Sequence, residues 1–139
     1  MINFFYETNI ELPNETALSS WISAVISSEN KIEGEINFIL CDDEYLLKIN
    51  QDFLNHDTFT DIISFDNTMG NQLNGDIFIS EERVAENAKE FMVSVEEEMR
   101  RVLIHGILHF CGYKDKLEKE KKLMRQKENE KLLMFHVEH

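Results

Sequence analysis

The chain has 139 residues, 42% of them hydrophobic, which suits one globular domain burying roughly two thirds of its unfolded surface. A formal net charge of -13 excludes an overall basic nucleic-acid-binding surface, since phosphate contacts need local Lys or Arg, and no apolar stretch approaches the roughly 20 residues of a membrane span. The opening "MINFFYETNIELPNE" lacks the features of a signal peptide, and Cys41 and Cys111 sit far apart in apolar surroundings, so the expectation is a soluble cytoplasmic protein, with no membrane partner and no structural disulfide.

"NFFYE" reads as a strand, and "ETALSSWISAVISSEN" as the first helix, with Leu18, Trp21, Ile22, Val25 and Ile26 at helical spacing behind an Asn14 or Thr16 cap. "GEINFILCD" is a strand bounded by Gly34 and by Asp42 and Asp43, and "DEYLLKINQDFL" returns to the helical period through Tyr45, Leu46, Ile49 and Phe53. "TDIISFD" and "GDIFIS" are two further strands, placed to pair as neighbours across "NTMGNQLN", a polar stretch that ends in the turn dipeptide Asn74-Gly75. Ser80 before Glu81 and Glu82 starts a third helix that runs to about Phe91. Ser94 and Glu97 have capping-box spacing in front of "MRRVLIHGILHFCG", which is apolar on almost every side from Val102 to Cys111 and therefore reads as a buried central helix. Gly112 suits a left-handed cap, a last helix runs from about Lys116 to Leu133, and "FHVEH", with His136 and His139, reads as a flexible tail.

His105 and His109 project from one helix face a turn apart, an arrangement in which two imidazoles can grip one ion. A histidine in an apolar segment is more often a hydrogen-bonded core residue, so the pair alone leaves both readings open. The surroundings favour a metal: the helix is otherwise apolar, Gly112 stops it, and Asp115 follows where a returning loop can offer an anionic third ligand, leaving a fourth position open. Gly106 stands where metalloproteases with the HExxH motif carry their glutamate base, which disfavours a peptidase; the glycine suits close approach of a substrate or tight packing against a strand. Cys111 lies roughly 160° around the helix from His109 and reads as core. Asp61 and Asp76, at strand ends, read as turn or backbone partners, with orientation of a ligand histidine as the functional alternative.

"HGILHFCGYKD" resembles the signature His-Gly-x-Leu-His-x-x-Gly-Tyr-Asp-His of the YbeY family, bacterial endoribonucleases and rRNA maturation factors. "TDIISF" and "GDIFIS" are similar to two of the family's strands, and Met124 and Glu128 fall where its last helix carries Met and Glu. The resemblance covers about residues 35 to 133. It implies a single α+β domain over residues 1–139, with a small mixed four-stranded sheet flanked by helices and a buried central helix carrying the metal histidines. It also implies one zinc ion, or another divalent transition metal, on His105, His109 and Asp115. Two departures stand out: Lys114 and Asp115 replace the signature's last Asp and His, and Leu54 aligns with a family arginine held to matter for activity. A carboxylate binds zinc at about the same distance as an imidazole but offsets more of its charge, and neither Leu54 nor the nearby His56 can form a guanidinium fork.

The function implied is a metal-dependent endoribonuclease directed at single strands, acting in rRNA processing and small-subunit maturation; the metal would activate a water or polarise the scissile phosphodiester. No general base stands beside the histidines, so no catalytic residue is assigned beyond the ligands. Partners are ribosomal RNA and the small subunit, with ribosomal proteins or an assembly GTPase beside them, and not DNA. Eight of the 14 basic residues fall between Lys114 and Lys131 against five acids, so RNA contacts are expected from Lys114, Lys116, Lys119, Lys121, Lys122 and Arg125, and the plain alternative is a solvated helix face. Two other functions are compatible with the sequence: a non-catalytic ribosome-assembly factor with a structural metal, and a metallohydrolase of another substrate.

Overall fold

The structure, a computed structural model, describes residues 1–54 and 60–137, with side chains through Phe135. Its elements are β1 (Ile2–Tyr6), α1 (Glu15–Ser28), β2 (Ile32–Cys41), α2 (Asp43–Leu54), β3 (Ile62–Asp66), β4 (Gln72–Ser80), α3 (Glu81–Phe91), α4 (Val95–Phe110) and α5 (Glu118–Val137). The four strands form one mixed sheet in the order β1-β2-β4-β3. β1 and β4 each run parallel to β2, and β3 is antiparallel to β4. The α+β domain expected from the resemblance is therefore present.

Alternation along the strands decides which face is covered. Ile36, Phe38 and Leu40 of β2 and Leu73, Ile77 and Ile79 of β4 point into one core, where they meet Trp21, Ile22 and Ile26 of α1 and Leu103, Ile104 and Ile107 of α4. The opposite face carries a smaller cluster of Cys41, Leu46 and Ile63 under α2. It also carries a polar ladder in which Asn3 donates to Asn37 at 3.0 Å and Asn37 to Asp76 at 2.9 Å. Asp76 thus points away from α4, which rules out a role in orienting a histidine and leaves it the plain structural one.

α4 is the buried central helix. Glu98, Met99, Val102, Leu103, Ile104, Gly106, Ile107, Leu108 and Phe110 are all buried. Its start is fixed by Ser94, whose hydroxyl accepts from Glu97 N at 3.1 Å. A Cβ on Gly106 would lie 2.9 Å from Ile77 Cδ1 and 3.2 Å from Ile62 Cδ1, so this glycine serves helix-on-sheet packing rather than substrate approach. α5 crosses back over α1, where the Trp21 indole donates to Lys131 O at 2.8 Å and meets Phe135 edge-on at 5.4 Å. Replacing Trp21 by alanine would cost about 3–5 kcal/mol.

The structure corrects three expectations. Neither Asn14 nor Thr16 caps α1 through its side chain: Asn14 sits at the cap position with φ 60 and no side-chain cap bond. The turn between β3 and β4 is not Asn74-Gly75 but Gly70-Asn71, enclosed by paired backbone bonds of 3.0 Å between Met69 and Gln72, with Gly70 at φ 60. Gly75 lies inside β4, where a Cβ would be 2.4 Å from Phe65 O and 2.6 Å from Phe110 Cζ, so only glycine fits, and the ladder bulges opposite it. Finally, the supposed tail is helical through Val137, anchored by Phe135; Glu138 and His139, the His136 side chain, and His56 lie outside the described residues.

Candidate metal centre

Two histidines one turn apart on α4 present their Nε2 atoms to the same point. These atoms lie 3.0 Å apart. Cys111 and Gly112 then stop the helix, Gly112 at φ 108, a conformation that side-chain-bearing residues rarely adopt, and the chain turns back. That return puts Asp115 Oδ2 3.2 Å from His105 Nε2 and 3.3 Å from His109 Nε2. Three ligands at 2.0–2.2 Å on the corners of a tetrahedron around zinc would stand about 3.3 Å from one another. The three groups together could hold a metal ion.

The far nitrogens settle the proton positions. His109 Nδ1 is 2.9 Å from Tyr113 O, and a carbonyl can only accept, so Nδ1 carries the hydrogen. His105 Nδ1 is 2.7 Å from Glu128 Oε2, again an acceptor. When neutral, both imidazoles therefore turn an Nε2 lone pair towards an Asp115 oxygen. Three lone pairs meeting at 3.0–3.3 Å repel unless a cation lies between them, so the donor set fits a divalent metal. Without one, a proton is the remaining option: burial works against charge on His105, but its bond to Glu128 and the nearby Asp115 and Asp61 raise its pKa.

Glu128 comes from α5 and is buried, with Oε1 accepting from Arg101 Nη1 at 2.8 Å. Burial alone would raise its carboxyl, yet His105 and Arg101 hold it below the ordinary range. Arg101 also donates to Asn129 Oδ1 at 2.8 Å. Sequence reasoning placed Glu128 in the signature's last helix without assigning it a role; the spacing of α4 and α5 is not legible in residues 23 apart. Asp61, considered for that role, lies in the same cleft but accepts from Asn87 Nδ2 at 3.3 Å. Burial pushes its carboxyl up, and its influence on His105 is electrostatic.

The centre opens into a cleft of about 1010 Å³ whose wall includes Leu54, Thr60, Asp61, Lys116 and Arg125. Lys114, Lys116, Lys119, Lys121, Lys122 and Arg125 are all exposed. Two other basic residues of that run are not: Lys131 is buried, and Lys127 pairs with Glu130 and Glu29. Cys111 is half-buried against the core, its thiol pushed up to about 11 by burial, and it is not among the three groups that could hold a metal. Among the described residues no helix is long and apolar enough to cross a membrane.

Comparison with known proteins finds relatives along nearly the whole chain. The family model described as Endoribonuclease YbeY matches residues 3–136. A relative from Flavobacterium johnsoniae named Endoribonuclease YbeY is 67% identical over 138 residues, covering 99% of both chains. One of the same name from Christiangramia forsetii is 62% identical, covering 99% of this chain and 96% of its own. The solution structure of TM1509 from Thermotoga maritima superposes with a TM-score of 0.71 at 28% identity, covering 99% of this chain and 91% of that one.

Proposed function

The chain belongs to the YbeY endoribonuclease family, and from that premise we propose that it is a metal-dependent endoribonuclease cutting single-stranded ribosomal RNA during maturation of the small subunit. The observation that carries the reading is the convergence of His105 Nε2, His109 Nε2 and Asp115 Oδ2 within 3.0–3.3 Å of one another, at the edge of a cleft of about 1010 Å³. These three side chains hold one divalent transition ion per chain, with zinc best suited to two imidazoles and a carboxylate. When bound, the ion supplies Lewis acidity to a phosphodiester and acidity to a water molecule.

The chain's own residues do the rest. Glu128 and the Tyr113 carbonyl hold the two imidazoles with Nε2 facing the cleft. Arg101 is held by Glu128 and Asn129 at 2.8 Å each, whereas Arg125 is more exposed and stands 3.6 Å from Glu128, so phosphate contact falls to Lys116 and Arg125 on the cleft wall. Lys114, in the loop before α5, and Lys119 and Lys122, in its first turns, are exposed and add to the basic charge. Leu54 gives the cleft an apolar side where an arginine would have reached for phosphate. The setting is the cytoplasm, with rRNA and the small subunit as partners and ribosomal proteins or an assembly GTPase beside them.

The test is metal content and cleavage of a single-stranded rRNA fragment, measured on one chelator-treated and reconstituted preparation. Cleavage should disappear with the metal and return with it. Two or three cations contacting RNA together give a log-log salt slope of between about -1 and -2. Charge reversal at Lys119 and Lys122 should weaken binding to every sequence alike and leave metal content unchanged. A loaded protein that binds rRNA without cutting it would instead be an assembly factor with a structural metal, the reading that Leu54 favours.

A further inference from the structure

Lys131 is a lysine in the core, only 4% exposed. Its ammonium lies 2.7 Å from Glu29 Oε2, at the end of α1, and donates to Ser28 Oγ at 2.9 Å. Lys127, one turn earlier on α5, is 3.7 Å from the same carboxylate oxygen. The other oxygen, Oε1, accepts from the Tyr113 hydroxyl at 2.7 Å. Burial alone would raise the Glu29 carboxyl, but Lys131, Tyr113 and Lys127 hold it below its ordinary range. A buried ion pair adds little net stability, because desolvation offsets attraction; what it can do is fix one arrangement.

The arrangement fixed here is that of Tyr113. Its carbonyl is the acceptor that sets the tautomer and ring plane of His109, at 2.9 Å, and its N–H donates to Leu108 O at 3.1 Å. Asp115 follows two residues later. We propose that Glu29, just after a helix that does not line the cleft, is a positioning residue of the metal centre: it anchors the Tyr113 phenol so that the Tyr113 carbonyl orients His109 and the loop presents Asp115. α5 then orients both imidazoles, His105 directly through Glu128 and His109 through Lys127, Lys131, Glu29 and Tyr113. This inference rests on the reading that His105, His109 and Asp115 hold a metal.

The test compares Tyr113→Phe, Glu29→Ala, Glu29→Gln and Val25→Ala. Val25 is fully buried on α1; its carbonyl accepts from Ser28 Oγ and the Glu29 N–H, bonds that alanine keeps, so the variant removes only apolar packing and reports what lost stability alone does. Readouts are zinc affinity by competition with a chromophoric chelator, the visible spectrum of the cobalt-substituted protein, the ¹⁵N shifts of the His109 ring in metal-free protein, and the unfolding temperature. Removing a direct outer partner of a ligand costs about 10–100-fold in affinity, so a partner one step further out should cost about 3–10-fold. Tyr113→Phe and Glu29→Ala should each lose that much, change the cobalt spectrum and mix the His109 tautomers. The double variant should lose little more than either single one, since both cut the same chain of contacts. Glu29→Gln, which keeps an acceptor for the phenol, should recover most of the affinity, and Val25→Ala should lose stability alone.

Unchanged affinity, spectrum and tautomer in Tyr113→Phe would overturn the proposal, as would an equal loss of affinity in Val25→Ala. If Glu29→Ala does not fold, Tyr113→Phe decides, since it deletes a single hydroxyl. If the unaltered protein takes up no metal, the reading of the centre fails, and the His109 shifts in metal-free protein still decide whether Glu29 positions the ring.

Discussion

Replacing Glu128 by alanine removes the carboxylate that lies between His105 Nδ1, at 2.7 Å, and Arg101 Nη1, at 2.8 Å, from a side chain 6% exposed. Losing such an outer partner of a ligand histidine costs about 10–100-fold in metal affinity, or about 1.4–2.7 kcal/mol. Stability should fall as well, since breaking a fully buried ion pair costs about 3–5 kcal/mol. Arg101 is 22% exposed and water recovers part of that, which leaves about 2 kcal/mol. For a chain of 139 residues this lowers the unfolding temperature by about 7 °C. The assay is thermal unfolding in chelator together with a zinc competition titration. Glu128→Gln keeps an acceptor for one partner only, so its affinity should fall by no more than about tenfold. If Glu128→Ala loses stability but keeps the affinity of the unaltered protein, helix α4 alone orients His105 and the reasoning fails.

Asp115→Ala should release the metal on dialysis, as should the double alanine variant at His105 and His109. Asp115→His should keep it, because imidazole reaches zinc at about the same distance. The neutral ligand set offsets less charge, so a metal-bound water would ionise more readily and the midpoint of the limb on which cleavage rises with pH should move to lower pH; an unmoved midpoint would count against Asp115 as a ligand. Glu98→Gln should stabilise the protein at pH 7. Burial, with Asp61 and Glu128 adding to it, pushes the Glu98 carboxyl above its ordinary 4.5, so its charge is a folding cost at neutral pH. That cost is relieved as pH falls through the raised folded-state value and is gone below 4.5, so the variant's advantage in unfolding temperature should vanish at pH 4.

What the sequence determined by itself was local. The apolar period of α1 and α4, the Ser80 and Ser94 caps and the alternation in β2 and β4 are written in neighbouring residues, because helix and strand periods are set within a turn or a pleat. The closeness of His105, His109 and Asp115 was legible for the same reason, since they lie within one helix turn and one loop. Two dipeptides suited to a hairpin, Gly70-Asn71 and Asn74-Gly75, competed, and local chemistry could not choose between them. In the fold Gly75 is the strand residue that Phe65 and Phe110 approach too closely for any Cβ, and Gly70-Asn71 makes the turn. The tertiary structure alone decided the partners of the two histidines. Glu128 is 23 residues from His105, and Glu29 is 84 from Tyr113. Such contacts depend on where α5 lies against α4 and α1, and that position is fixed by packing around Trp21, Phe135 and Lys131, whose burial no local pattern in a charged helix reveals.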